Sequence, residues 1–185
     1  MATHVLRGMA AGVLAGLAAS WAMNQFQQLR AQNPPRPAAD AGDPQGHDDP
    51  QERKQEQQAL HQNPTDLDEN ATVKTAQRIS RKLFEHELSD TEKQIAGPAV
   101  HYAYGAVVGG LYGGLAELLP ITAAGLGMPF GFALWLLGDE IAVPALGLGK
   151  RPTEYSPEVH ADALAAHFMY GVSTDMLRRV IKHVI

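Results

Sequence analysis

Five ionisable side chains sit in stretches that are otherwise apolar: His101, Asp139, Glu140, His160 and His167. Histidine beside carboxylate can titrate between pH 5 and 8, hold a metal, or simply fix one helix against another. His160 and His167 are seven residues apart, two helical turns, and so share a face. His167 also opens a five-residue motif, His-x-x-Tyr-Gly, which occurs first at His101–Gly105. Three chemistries suit this set. In the first, each histidine donates to a carboxylate or carbonyl and pins helix register. The second is a proton relay or pH sensor. The third is a haem or metal site using the histidines with Asp139 or Glu140, but no His-x-x-x-His or Glu-x-x-His pair anchors one. The spacings assign no catalytic residue, no cofactor and no particular metal.

Other chemistry-bearing residues carry less. His4, His47, His61 and His86 have no ligand spacing. The glycine-rich run Gly105–Gly114 follows no strand and lacks the Lys-Ser/Thr ending of a phosphate loop. No serine occupies a Gly-x-Ser-x-Gly elbow. A non-enzymatic protein is therefore expected.

The elements that would position the five residues read as membrane helices. Residues 8–29, 94–116 and 118–138 contain no Asp, Glu, Lys or Arg, and each is close to the ~20 residues that a bilayer's hydrocarbon core requires. Residues 163–174 form a shorter uncharged run between Asp162 and Asp175. Glycine recurs at four-residue spacing: Gly8, Gly12 and Gly16; Gly105, Gly109 and Gly113; Gly127 and Gly131. Internal glycine costs a soluble helix roughly 1 kcal/mol against alanine. In a membrane it makes a groove into which a second backbone packs closely. Gly171 ends the second His-x-x-Tyr-Gly copy and belongs to the same class. Gly8-Met9-x-x-Gly12 recurs as Gly127-Met128-x-x-Gly131, which favours two tandem hairpins of like direction.

Between the first two spans the composition changes. Of 20 acidic residues, 13 lie between positions 31 and 93, with half of the 12 prolines. Residues 31–70 read as a polar, largely disordered loop, with a short exposed helix over 51–62. Residues 71–88 read as an amphipathic basic helix, and Ser89-Asp90-Thr91-Glu92 as a capping box. The net charge of −5 belongs mostly to this insert, and nucleic-acid binding is not expected. With no cysteine, disulfides and thiolate metal sites are excluded.

The layout resembles the YagU-like bacterial inner-membrane proteins, a family of unknown function. Those share an apolar first helix, a long polar segment, an apolar hairpin and a short last helix. The resemblance is strongest where His167 is followed by Asp175, Arg178 and Arg179. It implies a bacterial inner-membrane location and a link to acid stress, and it supplies no catalytic residues.

The sequence thus predicts an all-α integral membrane bundle of four transmembrane helices packed through glycine grooves. Their expected bounds are 1–30 and about 90–119, 121–146 and 157–181. The lipid bilayer is the expected partner, and the glycine faces could also join copies into a homo-oligomer. Arg7, Arg178, Arg179 and Lys182 favour cytoplasmic N- and C-termini. The expected role is that of a small polytopic protein, structural or stress-related, with a pH-responsive interior. A proton or metal-ion transporter and a haem- or metal-binding membrane enzyme or redox subunit are the alternatives.

Overall fold

Gly8, Gly12, Gly16 and the alanines at 11, 15 and 19 give one helix, α1 (Ala2–Gln32), a face without bulk, and it is buried along its length. In this computed structural model residues 2–32 and 70–184 are described. The expected loop up to position 69 and the helix at 51–62 lie outside them. Among the described residues every regular element is helical, and there is no strand.

The chain resumes with α2 (Ala71–Phe84). Asn70 caps it by accepting from the Thr72 amide at 2.9 Å, and Glu85 ends it in a left-handed conformation (φ 52°). Next, α3 (Asp90–Leu118) starts on the expected capping box. The Ser89 hydroxyl accepts from the Glu92 amide, and the Glu92 carboxylate accepts from the Ser89 amide at 2.7 Å.

The third expected span departs most from expectation. A single helix over 121–146 does not form. A 3-10 segment (Pro120–Gly127) loses helical geometry at Ala124 and turns left-handed at Gly125, Leu126 and Gly127, with φ of 70°, 55° and 78°. Two glycines make that reversal cheap. The helix α4 then begins at Met128, with Pro129 in the first turn, where its missing N–H costs nothing. It runs as α-helix through Leu134, widens to a π-helix over Trp135–Ala142, and closes with Val143–Ala145. Pro144 removes one donor from the ladder where the wide winding ends. After a turn, α5 (Pro157–Val184) completes the chain.

Two stretches are long and apolar enough to cross a membrane, Ala2–Gln32 and Pro120–Ala145. Neither α3 nor α5 reaches that standard, where four such helices were expected. The reason is compositional: α3 carries many glycines and tyrosines with His101, and α5 carries Glu158, Asp162, Asp175, Arg178, Arg179 and Lys182.

The helices pair through glycine. α1 lies against α3, with a Cβ on Gly12 falling on the Gly109 carbonyl and one on Gly16 falling on that of Gly105. Gly8 meets Gly113 in the same way. α4 lies against α5, where Gly127 meets Gly171 and Gly131 meets the His167 carbonyl. α1 also packs along α5, closing a small core of Ala19, Met23, Ala166 and Tyr170.

The two pairs are related, but not through the repeated motifs alone. Gly8 and Gly127 occupy matching places, facing Gly113 and Gly171 respectively. Gly105, the end of the first His-x-x-Tyr-Gly, sits two turns further along and faces Gly16.

Candidate functional site

Two polar layers lie within the bundle, and only one contains the residues singled out above. In the first, the π-helix of α4 faces the start of α5. Neighbouring side chains on a π-helix diverge by a smaller angle than on an α-helix, so Asp139 and Glu140 both reach α5. Glu140 meets His160, Oε1 to Nδ1 at 2.6 Å, and Asp139 stands 3.6 Å from His167 Nδ1. The other ring nitrogen of His160 lies 2.9 Å from the Pro152 carbonyl. Both nitrogens thus face oxygens, and a neutral imidazole has only one N–H to offer. An imidazolium, with an N–H at each ring nitrogen, would donate to both oxygens at once.

His167 Nδ1 donates to the Ala163 carbonyl at 2.8 Å, one turn back, which fixes that tautomer and turns the ring toward Asp139. His101 stands apart from this pairing. It lies against the Ser20 backbone of α1 and within electrostatic range of His167. Its Nε2 is buried with no hydrogen-bond partner. The five residues are therefore gathered as two His–carboxylate pairs with a third histidine to one side. Among the described residues, no three His, Asp or Glu side chains converge where they could hold a metal ion.

The second layer is built largely from residues that the sequence marked only as a basic C-terminal segment, not as a cluster. Asp175 is 0% exposed and Arg178 is 5% exposed. Arg178 divides its guanidinium between Asp175 and Glu117, each at 3.1 Å. Arg179 Nε donates to the second Asp175 oxygen at 2.9 Å, and Lys182 reaches Glu117 at 2.6 Å. Arg178 also lies over the Tyr112 ring, 5.7 Å from its centroid, within cation–π range. Tyr112 stacks on Phe130 at 4.3 Å. A buried charge alone is prohibitive, and here each is paired and hydrogen-bonded. Glu117 was visible as the only charge between two long uncharged runs. The Asp175–Arg178–Arg179 spacing places both arginines within one turn of the acid.

Both acids follow a contact glycine by four residues, Gly113 then Glu117 and Gly171 then Asp175. Beside them an open cleft of about 500 Å³ is lined by Glu117, Ala123, Arg178, Arg179, Lys182 and other residues. Across the bundle Arg30 of α1 pairs with Asp162 of α5.

Compared with family models, curated proteins and solved structures, the chain matches none.

Proposed function

We propose that the chain is a non-enzymatic polytopic protein of a bacterial inner membrane. In this reading α1, α3, α4 and α5 all cross the bilayer, and the His160–Glu140 and His167–Asp139 pairs make their packing responsive to pH. The supporting observation is a polarity turned inside out. The interior is built of glycine, alanine and paired charges, while large apolar side chains face outward on all four helices. Val13 and Leu14 on α1, Val107 (60% exposed) and Leu111 on α3, Leu137 and Ile141 on α4, and Val180 (62% exposed) on α5 are examples. A soluble protein rarely presents so much contiguous apolar surface. Charges on α5 are tolerable in a membrane because they pair inside the bundle. A structural role under acid stress, as in the YagU-like resemblance, fits this interior.

Because the chain has no cysteine, single substitutions Val107→Cys and Met169→Cys report on α3 and α5 without background. Both should resist aqueous maleimide in intact membranes, and the protein should stay with the pellet after alkaline extraction. Labelling as fast as in detergent-free unfolded protein, or release into the aqueous fraction, defeats the proposal.

A second reading, a proton path, is favoured by the unpartnered His101 Nε2 beside the two His–carboxylate pairs. Equal proton flux into vesicles by wild type and His167→Ala removes it. The metal and haem alternatives have no supporting geometry among the described residues.

A further inference from the structure

We infer that α2 is an interfacial helix that binds the anionic phospholipid headgroups of the bilayer its own bundle spans; this rests on the membrane reading above. Its apolar arc is wider than the protein surface it covers. Val73, Ala76 and Ser80 are buried, with Val73 packed at Gly97 of α3. Ile79, Leu83 and Phe84 lie on the margins of that arc and remain uncovered, the last two at 71% and 74% exposure. The opposite arc carries Lys74, Arg78, Arg81 and Lys82, and α2 contains no acidic residue. Such a helix lies in the plane of a membrane surface, with its apolar side toward the acyl chains and its cations among the phosphates.

The placement of α2 supplies the second half of the argument. It is anchored at two points, one at the start of the uncharged run 94–116 and one just past the end of the apolar stretch Pro120–Ala145. Gly97 lies just inside the start of 94–116. At the end of α4, Arg78 donates to the carbonyls of Leu146 at 2.5 Å and Gly147 at 3.0 Å. Both points mark headgroup level if these stretches span the hydrocarbon. The angle of α2 is also fixed. Ser80 donates to the His86 carbonyl at 2.8 Å, and His86 lies 3.1 Å from the Glu92 carboxylate that caps α3. The last turn, with Leu83 and Phe84, is therefore held out from the bundle at the depth where lipid begins. With Arg78 committed to the α4 end, Arg81 and Lys82 are the exposed cations left to meet phosphates.

The test uses the full chain in vesicles of phosphatidylcholine with or without phosphatidylglycerol. Leu83→Cys and, separately, Leu111→Cys carry an environment-sensitive fluorophore. We expect the Leu83 probe to be quenched by lipids brominated near the headgroup and shielded from iodide, more so with phosphatidylglycerol. Arg81→Gln with Lys82→Gln should reduce the ratio of lipid-contacting to free α2 by about fivefold per charge removed, the attraction of one basic residue to an anionic surface. A Leu83 probe open to iodide and indifferent to phosphatidylglycerol, while the Leu111 probe is lipid-quenched, overturns the inference and leaves the bundle standing. Shielding from iodide without lipid quenching overturns it in favour of a protein partner, such as a second copy. An unquenched Leu111 probe overturns the membrane reading, and this inference with it.

Discussion

The hydroxyl of Tyr170 donates to the carbonyl of Gly105 at 2.6 Å, joining the two copies of His-x-x-Tyr-Gly across the bundle. Tyr170 is buried, whereas Tyr104, its counterpart in the first copy, is 51% exposed. Hydrogen bonds between membrane helices average well under 2 kcal/mol, and a buried carbonyl losing a donor costs somewhat more than a neutral exchange. Tyr170→Phe should therefore destabilise the fold by about 1 kcal/mol, and Tyr104→Phe by about 0. Unfolding in mixed micelles, titrated with a denaturing detergent, measures both. Equal effects would show that the motif tyrosines are interchangeable.

The glycines divide into those that permit contact and those that do not. A Cβ on Gly12 falls on the backbone of Gly109, which cannot move aside as a flexible side chain can. A Cβ on Gly138 meets only the Tyr104 hydroxyl, at 3.7 Å, an ordinary contact. Gly12→Ala should cost about 2–3 kcal/mol by forcing α1 from α3. Gly138→Ala, in a helix interior, should be neutral or stabilising by up to about 1 kcal/mol. The same detergent titration separates them. A Gly12→Ala variant as stable as the wild type contradicts the close contact.

Arg178 joins α3 to α5 by bridging Glu117 and Asp175. Removing one partner of a buried ion group leaves charge without compensation, at about 3–5 kcal/mol. Arg178→Ala should fall in that range. Arg178→Lys should recover only part of it, because one ammonium cannot present the two directed donors of a guanidinium. The Arg30–Asp162 pair is about 40% exposed on each side, and Arg30→Ala should cost about 1 kcal/mol or less. Thermal unfolding of the three variants ranks them. A loss at Arg30 equal to that at Arg178 refutes the distinction.

Much of this architecture was legible in residue types. Glycine at four-residue spacing signals close backbone approach, and Gly12, Gly16, Gly109 and Gly131 all lie where a Cβ would strike another helix. The capping box at Ser89–Glu92 was readable because it depends only on local sequence. Which carboxylate meets which histidine was not, since the answer depends on the π-winding of α4. Gly125-Leu126-Gly127 did carry a signal for the break before α4. Hydropathy masked it, because the segment is as apolar as a helix. The Glu117–Arg178–Asp175 layer depends on the contact between α3 and α5, which no local pattern encodes.

Glu92, in the first turn of α3 and ahead of the uncharged run 94–116, gives a pH prediction. The Ser89 hydroxyl first, then the Ser89 amide and His86, lower its pKa from 4.5 to about 2. A carboxylate depressed by folding contributes stability that is complete above its unfolded pKa and lost as pH falls through the folded one. The first turn of α3 should therefore hold at pH 5 and fray between 4.5 and about 2. Ser89→Ala should raise the Glu92 pKa part of the way back toward 4.5. Carbon NMR of labelled glutamate carboxyls follows this directly. An unshifted titration in the variant removes Ser89 as the cause.

If α1, α3, α4 and α5 cross a bilayer as proposed, the sorting of basic residues predicts their orientation. The sequence expectation of cytoplasmic termini rested on Arg7, Arg178, Arg179 and Lys182. Folding brings these to one end, where all but Arg7 are engaged by Glu117 or Asp175. The other end gathers Arg30, the α2 cations, Lys93, Lys150 and Arg151, since Arg78 of α2 bonds the turn after α4. Positively charged segments flanking the spans are retained on the cytoplasmic side. The larger group should decide, placing α2 in the cytoplasm and both termini across the membrane. A Lys82→Cys variant should then be inaccessible to a membrane-impermeant maleimide in intact cells, and a cysteine added after Ile185 accessible. The reverse pattern would place the termini in the cytoplasm and show that the α5 arginines, though paired, still dominate insertion.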